Sequence, residues 1–328
     1  MLTDQFGRRI TYLRLAVTDR CNLRCQYCMP AHGIDIVDRH ELLSYKEMYR
    51  IVRILSELGV DKVRLTGGEP FVRKDFIHFL ESLSFNDKLK EINITTNGAL
   101  IANHIPALER IGIHAINLSL DTLQKERFKL ITRRDVFDET YQTFLLLLKS
   151  KLKLKLNVVI QSGVNTDEIL PFIELTKYDD LAVRFIEEMP FNGIGIRNTE
   201  VLWNFDRILK EIRSKHSNLI PLVSDKSSTS VNYKIEGYSG NFGIIPAFTR
   251  TICSDCNRIR ITSTGLFKNC LFDEGVFNLR DFMRAEASDD EIKEIFIQTV
   301  SKKPKNGFVA EAGRKDRNVS ESMSTIGG

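Results

Sequence analysis

From its start to about residue 188 the chain alternates short strand-like runs with amphipathic helical stretches, the pattern of a parallel sheet built from βα units. Six strands are expected, at 12–18, 62–66, 91–95, 115–120, 153–160 and 181–186. Between the first two, Ser44 and Glu47 form a capping box, Met48, Ile51, Val52, Leu55 and Leu58 recur at helical spacing, and Gly59 closes the helix. A second helix starts near Asp75 and buries Phe76, Phe79, Leu80 and Leu83. Parallel strands covered on both faces usually read as continuous apolar runs, yet these alternate. In the fifth, Leu152, Leu154, Leu156 and Val158 share one face while Lys151, Lys153, Lys155 and Asn157 share the other. The first opposes Leu13, Leu15 and Val17 to Arg14, Ala16 and Thr18, and the second opposes Val63 and Leu65 to Lys62, Arg64 and Thr66. With the apolar face against the helices, the other face lines a polar, positively charged interior. Burying Arg14, Arg64 and Lys155 together without counter-charge is costly for each ion, so an anionic ligand is the economical partner. Protein carboxylates, or side chains projecting at strand ends, are the alternative.

The rest of the chain is less regular. Residues 214–230 are polar and read as a linker or an elaborated connection; two short strands, a turn at Ser263-Thr264-Gly265 and one or two helices between Leu279 and Lys303 follow. The tail from Pro304 is polar and expected to be mobile, up to its ending Met323-Ser-Thr-Ile-Gly327-Gly328. Lys302 and Lys303 are expected to complement the dipole of the preceding helix, and His104 and His114 to lie at surfaces or helix ends. Trp203 is expected to pack within the elaborated region. With 328 residues, 42% of them hydrophobic, the chain supports a full core and one large domain or one large and one small. The division expected is 1–225 and 226–328. Residues 1–10 lack the apolar core of a signal peptide, and the longest aliphatic run, 145–148, is far too short for a bilayer, so a cytoplasmic, membrane-free location is expected. A net charge of +4 suits a small anionic ligand and lacks the dense basic patch of a nucleic-acid binder.

All six cysteines fall into two triads, Cys21, Cys25 and Cys28, and Cys253, Cys256 and Cys270. Clustered cysteines in a chain of this length point to metal rather than to a disulfide framework. Three thiolates underfill a four-coordinate centre, and an open position is what a catalytic metal keeps for its substrate. Cys21-x3-Cys25-x2-Cys28 directly follows the first strand, at the end where α/β barrels place their active sites. One loop of that spacing wraps three corners of a [4Fe–4S] cube and leaves the fourth iron open. A zinc knuckle completed by a residue such as His32 is the alternative. At the end of the second strand, Thr66-Gly67-Gly68-Glu69-Pro70 frees the backbone for close approach to a ligand, and Glu69 offers an acceptor for an ammonium.

These motifs together resemble the radical S-adenosylmethionine superfamily and, within it, the GTP 3′,8-cyclases that open molybdenum-cofactor biosynthesis. The resemblance runs over nearly the whole chain. It includes Leu15-Ala-Val-Thr-Asp-Arg-Cys21, Val63-Arg-Leu-Thr-Gly-Gly-Glu-Pro70, Ile94-Thr-Thr-Asn-Gly98, Asn117-Leu-Ser-Leu-Asp121, Asn157-Val-Val-Ile-Gln161, Arg184-Phe-Ile-Glu187, Cys253-Ser-Asp-Cys-Asn-Arg-Ile-Arg260 and the Gly-Gly end. It implies an incomplete (βα)6 TIM-type barrel with a C-terminal iron–sulfur segment covering its open side. Cys21, Cys25 and Cys28 would hold a [4Fe–4S] cluster that binds S-adenosylmethionine, with Tyr27, Gly68, Ser119 and Met189 matching cofactor contacts and Glu69 close by. Arg14, Arg64, Thr95 and Lys155 match GTP-binding positions. Cys253, Cys256 and Cys270 would hold a second [4Fe–4S] cluster facing the guanine, Arg258 and Arg260 would reach the nucleotide, and Gly327 and Gly328 would enter the active site. The reaction implied begins with a 5′-deoxyadenosyl radical removing the ribose 3′ hydrogen of GTP and ends with C8 of guanine joined to that carbon. An electron donor, a downstream cyclic pyranopterin monophosphate synthase and a homodimer are the implied partners. Residues 190–197 depart from the family pattern, being more apolar, and the region to 230 matches poorly. A peptide-modifying radical enzyme with auxiliary clusters would share the first motif but generally carries more C-terminal cysteines. A zinc-stabilised, non-catalytic binding module is the other rival.

Overall fold

Alternating burial along each strand decides the architecture. The computed structural model describes every residue except 36, 190, 192–200, 316–320 and 328. Strands β1 (Tyr12–Ala16), β2 (Lys62–Thr66), β3 (Glu91–Thr96), β4 (Ala115–Ser119), β5 (Lys153–Ile160) and β6 (Ala182–Glu187) lie within two residues of the expected positions. They pair in parallel and in chain order. Helices Tyr45–Glu57, Phe76–Ser84, Ile105–Ile111, Lys125–Thr132, Phe137–Lys149 and Ile169–Glu174 carry the chain from one strand to the next. The first opens as its sequence dictates. Ser44 Oγ accepts from the Glu47 amide at 3.2 Å, and Glu47 Oε2 accepts from the Ser44 amide at 2.6 Å.

One face of every strand is apolar and closed. Leu13, Leu15, Val63, Leu65, Ile94, Ile116, Leu118, Leu156 and Val158 are fully buried and join the inner faces of the helices in one contiguous core. The opposite face is partly open, as β5 shows by alternating buried and half-buried residues along its length.

The sheet is larger than the sequence suggested. Strands β7 (Leu219–Leu222), β8 (Val231–Ile235), β9 (Asn241–Ile245), β10 (Arg258–Ile261), β11 (Leu266–Lys268) and β12 (Phe277–Asn278) extend it to twelve, in the order β12-β11-β10-β1-β2-β3-β4-β5-β6-β9-β8-β7. Parallel β9 joins β6 and parallel β10 joins β1, while the outer pairs are antiparallel, so the α/β sheet is mixed.

Several expectations need correction here. Of the two readings of 214–230 the elaborated connection holds and the linker does not: the stretch contains β7, a short edge strand in which Pro221 is tolerated because edges do not need every amide. Nor are the described parts of the tail beyond Pro304 free, since they form helices Gly307–Ala312 and Met323–Ile326, the second anchored by Ser322 Oγ donating to the Cys28 carbonyl at 2.7 Å. Lys303 does more than complement a dipole. It is 2% exposed and turned inward. Trp203 does pack against the main core, with Arg207 4.4 Å over its ring. The divergent stretch 190–197 lies, except for residue 191, outside the described residues, and Gly328 lies outside them as well.

Candidate active site

The half-open face of the sheet wraps a cavity of about 690 Å³ to which β1, β2, β3, β4, β5, β6, β9 and β10 all contribute side chains. All six cysteines line it, so two triads far apart in sequence share one space. Among the described residues, no three His, Cys, Asp or Glu side chains are gathered as a single metal ion requires. Each triad offers three thiol donors, the set that holds three corners of a [4Fe–4S] cube.

The first triad rides on the loop after β1, fixed by the glycines after β2. Gly68 donates its amide to the Thr18 carbonyl at 2.8 Å and Glu69 to that of Arg20 at 2.8 Å. A Cβ at Gly68 would lie 2.2 Å from the Arg20 carbonyl oxygen, and one at Gly67, whose φ is +143°, 2.3 Å from that of Thr18. The close approach foreseen for these glycines is therefore first to the cysteine loop itself, although both also line the cavity. Cys21 Sγ accepts from the Leu23 amide at 3.4 Å and from Asn97 Nδ2 at 3.9 Å. Burial pushes the thiols up, Cys21 to about 11 and Cys28 to about 12, so a bound cation is needed to hold them as thiolates.

The second triad differs. Burial raises Cys256, but the charges of Lys303 and Arg258 outweigh it and bring the thiol down to about 6. Cys270 stays raised, by burial foremost.

Between the triads the floor is cationic. The register places Arg260, Arg14 and Arg64 side by side on β10, β1 and β2. Asn117 pairs with Thr95 on one side and Lys155 on the other, and Asn157 pairs with Arg184. Arg14 Nε, Arg64 Nε, Arg184 Nε, Thr95 Oγ1, Asn117 Oδ1 and Asn157 Oδ1 are buried without a hydrogen-bond partner. Among the described residues no carboxylate forms an ion pair with Arg14, Arg64, Lys155, Arg184, Arg258 or Arg260. Burial and then neighbouring guanidinium groups pull the cations down: Lys155 to about 7, Arg184 and Arg260 to about 10, and Arg14 well below its usual range. The alternative of internal carboxylate partners does not describe these side chains. A multiply charged anion fits the floor.

Tyr27, Ser119, Met189, Arg258 and Arg260 also line the cavity. Glu69 does not; its oxygens accept from the Phe71 amide at 3.2 Å, Thr96 Oγ1 at 2.8 Å and the Asn97 amide at 2.7 Å, and burial raises it to about 7. Gly327 is buried, and its carbonyl accepts from Arg260 Nη1 at 2.7 Å. Sequence reasoning passed over several residues. Lys62 was placed on the polar face of β2 but not assigned to the site, and the alternation argument, carried to β6, would have found Arg184. Asp121, which accepts from Tyr27 Oη at 2.9 Å and from the Val159 amide at 2.8 Å, was readable only as part of a motif. Lys303 was read only as complementing a helix dipole, and nothing in the sequence pointed it toward this site.

A mixed α/β sheet with a parallel centre, whose first loop carries Cys-x3-Cys-x2-Cys beside a Gly-Gly turn and over a shared cavity, defines a radical S-adenosylmethionine enzyme. The pattern of that superfamily matches residues 15–176, and one described as Molybdenum Cofactor Synthesis C matches residues 181–309. The GTP 3′,8-cyclase of Thermodesulfovibrio yellowstonii is 38% identical over 329 residues, with both chains covered completely. The mitochondrial GTP 3′,8-cyclase of Arabidopsis thaliana is 38% identical over the whole of this chain and 84% of its own length. The chain belongs to the GTP 3′,8-cyclase family, and as a member uses S-adenosylmethionine and two [4Fe–4S] clusters. It spans about half the length of other relatives, such as molybdenum cofactor biosynthesis protein moc-5 of Caenorhabditis elegans, 39% identical with 99% of this chain and 54% of that protein covered. Among solved structures, Streptococcus suis SuiB superposes with a TM-score of 0.62 at 15% identity, over 93% of this chain and 68% of that one, a likeness of fold alone. No helix among the described residues is long and apolar enough to cross a membrane.

Proposed function

We propose that this chain converts GTP to (8S)-3′,8-cyclo-7,8-dihydroguanosine 5′-triphosphate, the first step of molybdopterin biosynthesis. One observation carries the reading: a single cavity is walled by two cysteine triads and floored by buried cations that no carboxylate balances among the described residues.

Cys21, Cys25 and Cys28 would hold the first cluster and Cys253, Cys256 and Cys270 the second. When bound, the first cluster and S-adenosylmethionine would supply one-electron radical chemistry at the ribose of the substrate. The protein supplies binding, orientation and exclusion of water. Tyr27, Gly68, Ser119 and Met189 form the cofactor wall, and Glu69, its oxygens already engaged, steadies that wall from behind. Arg14, Arg64, Thr95 and Lys155, joined by Lys62 and Arg184, grip the triphosphate and ribose, which fixes the carbon presented for attack. Arg258 and Arg260 reach the guanine side, where Arg260 also ties down Gly327, with Gly328 next in the chain. The architecture that suits these roles is an incomplete (βα)6 barrel formed by 1–225, its open side covered by 226–328. A cytoplasmic setting, a dimer, an external electron donor and a cyclic pyranopterin monophosphate synthase that takes the product complete the proposal.

Anaerobic reconstitution tests it. About eight irons per chain are expected, with consumption of S-adenosylmethionine that depends on GTP and yields the cyclic nucleotide. Zinc in both triads, or cofactor turnover indifferent to GTP, overturns the reading. Lys155→Ala should weaken GTP binding roughly 10- to 100-fold, about 1.5–3 kcal/mol for a charged hydrogen bond, and leave the first cluster intact. Unchanged nucleotide affinity would remove β5 from the substrate site.

A further inference from the structure

The second triad is carried on two separate stretches, 253–256 and 270, that share no regular element. Each is gripped from outside by a buried cation through a backbone carbonyl. Lys303 Nζ, just past the helix Asp289–Ser301, donates to the Arg258 carbonyl at 2.8 Å and to the Asn269 carbonyl. Those carbonyls lie two residues after Cys256 and one before Cys270. Arg8 donates through Nη1 to the Cys253 carbonyl at 3.0 Å and the Lys305 carbonyl at 2.8 Å, and through Nη2 to the Pro304 carbonyl at 2.7 Å. Asp4 holds Arg8 at 2.6 Å. Gln5 Nε2 closes the arrangement by donating to the Lys303 carbonyl at 3.2 Å.

We propose that Lys303 and Arg8 are positioning residues that clamp the two stretches carrying the second cysteine triad into one cluster-binding constellation and set the charge around it. Lys303 has no carboxylate ion-pair partner among the described residues. Carbonyl dipoles satisfy its protons, and Asp273, engaged with the Cys270 amide, acts on it only from beyond ion-pair distance, so neither cancels its charge. A thiolate-bound cluster, which is anionic, does, so the ammonium both shapes the site and favours its reduced, more negative state. Arg8 has its counter-ion in Asp4, which leaves it the mechanical share. The exposed neighbour Lys302 points elsewhere and provides the control.

The inference rests on the two-cluster reading, and the test separates them. Wild type must first hold about eight irons; if it holds about four, the two-cluster reading fails and the clamp with it. Given eight, Lys303→Met should retain the first cluster, recognised by the change in its paramagnetic resonance signal on adding S-adenosylmethionine, and drop to about four irons. Any second cluster that persists should show a lower midpoint potential than wild type. Lys303→Arg should restore iron at least partly, Arg8→Lys should lower second-cluster occupancy, and Lys302→Met should behave as wild type. Lys303→Met with full iron and an unchanged second-cluster potential overturns the proposal. So does loss of both clusters together, which would make Lys303 a general support of the fold.

Discussion

Lys155 stands where burial first, and then Arg184, Arg64 and Lys62, bring its ammonium down to about 7. Near neutrality the free protein therefore surrenders part of the charge that a triphosphate needs. Nucleotide affinity should fall as the pH rises through about 7, because binding must then recover a proton. In Lys155→Arg the guanidinium stays charged and that alkaline decline should flatten. Calorimetric titration of both proteins between about pH 6 and 9 measures it, and parallel slopes would assign the proton elsewhere. The same residue acts on folding with a definite sign. A depressed ammonium binds fewer protons in the folded chain than in the unfolded one, so its penalty is complete below about 7 and fades toward the ordinary lysine range, and apo stability rises with pH across that window.

At the scale of elements, the turn after β2 and the loop after β1 behave as one part. Gly68→Ala would force a Cβ to within 2.2 Å of the Arg20 carbonyl, a backbone atom that cannot step aside alone. Iron should fall to about four per chain with the second cluster kept, and a variant that still loads both clusters would show that the loop can shift without cost. Elements with strong periodicity were legible: the capping box at Ser44, the alternation in β5 and the cationic faces of β1 and β2 follow from residue spacing alone. What escaped were pieces whose form depends on remote partners. Arg258-Ile-Arg-Ile261 becomes a strand because β1 offers an open edge, and the segment opening at Ser322 is held in place because Cys28 offers it a carbonyl. Lys303 escaped for the same reason. A lysine past a helix end looks solvated until the fold brings two carbonyls over it.

Across the whole molecule, a floor of like charges makes the empty protein less stable than the loaded one. Inorganic tripolyphosphate at a hundredfold excess over its Kd should add about 2.7 kcal/mol and raise Tm by several degrees. Sodium chloride at equal ionic strength should do less, since it screens without bridging. A Tm equally indifferent to both, in a protein that still binds GTP, would place the anion site off the sheet.

The pairing of Tyr12 with Arg258 joins the first strand to a stretch 246 positions later in the chain. At ribosomal rates of about 5–20 residues per second, about 12–50 s separate the emergence of these two partners. By the end of that interval the first thiol loop and β1 to β6 have been made, while the flank of β1 that β10 covers is still unpaired. The second triad, whose last member Cys270 follows β10 in the chain, can be completed only later than the first.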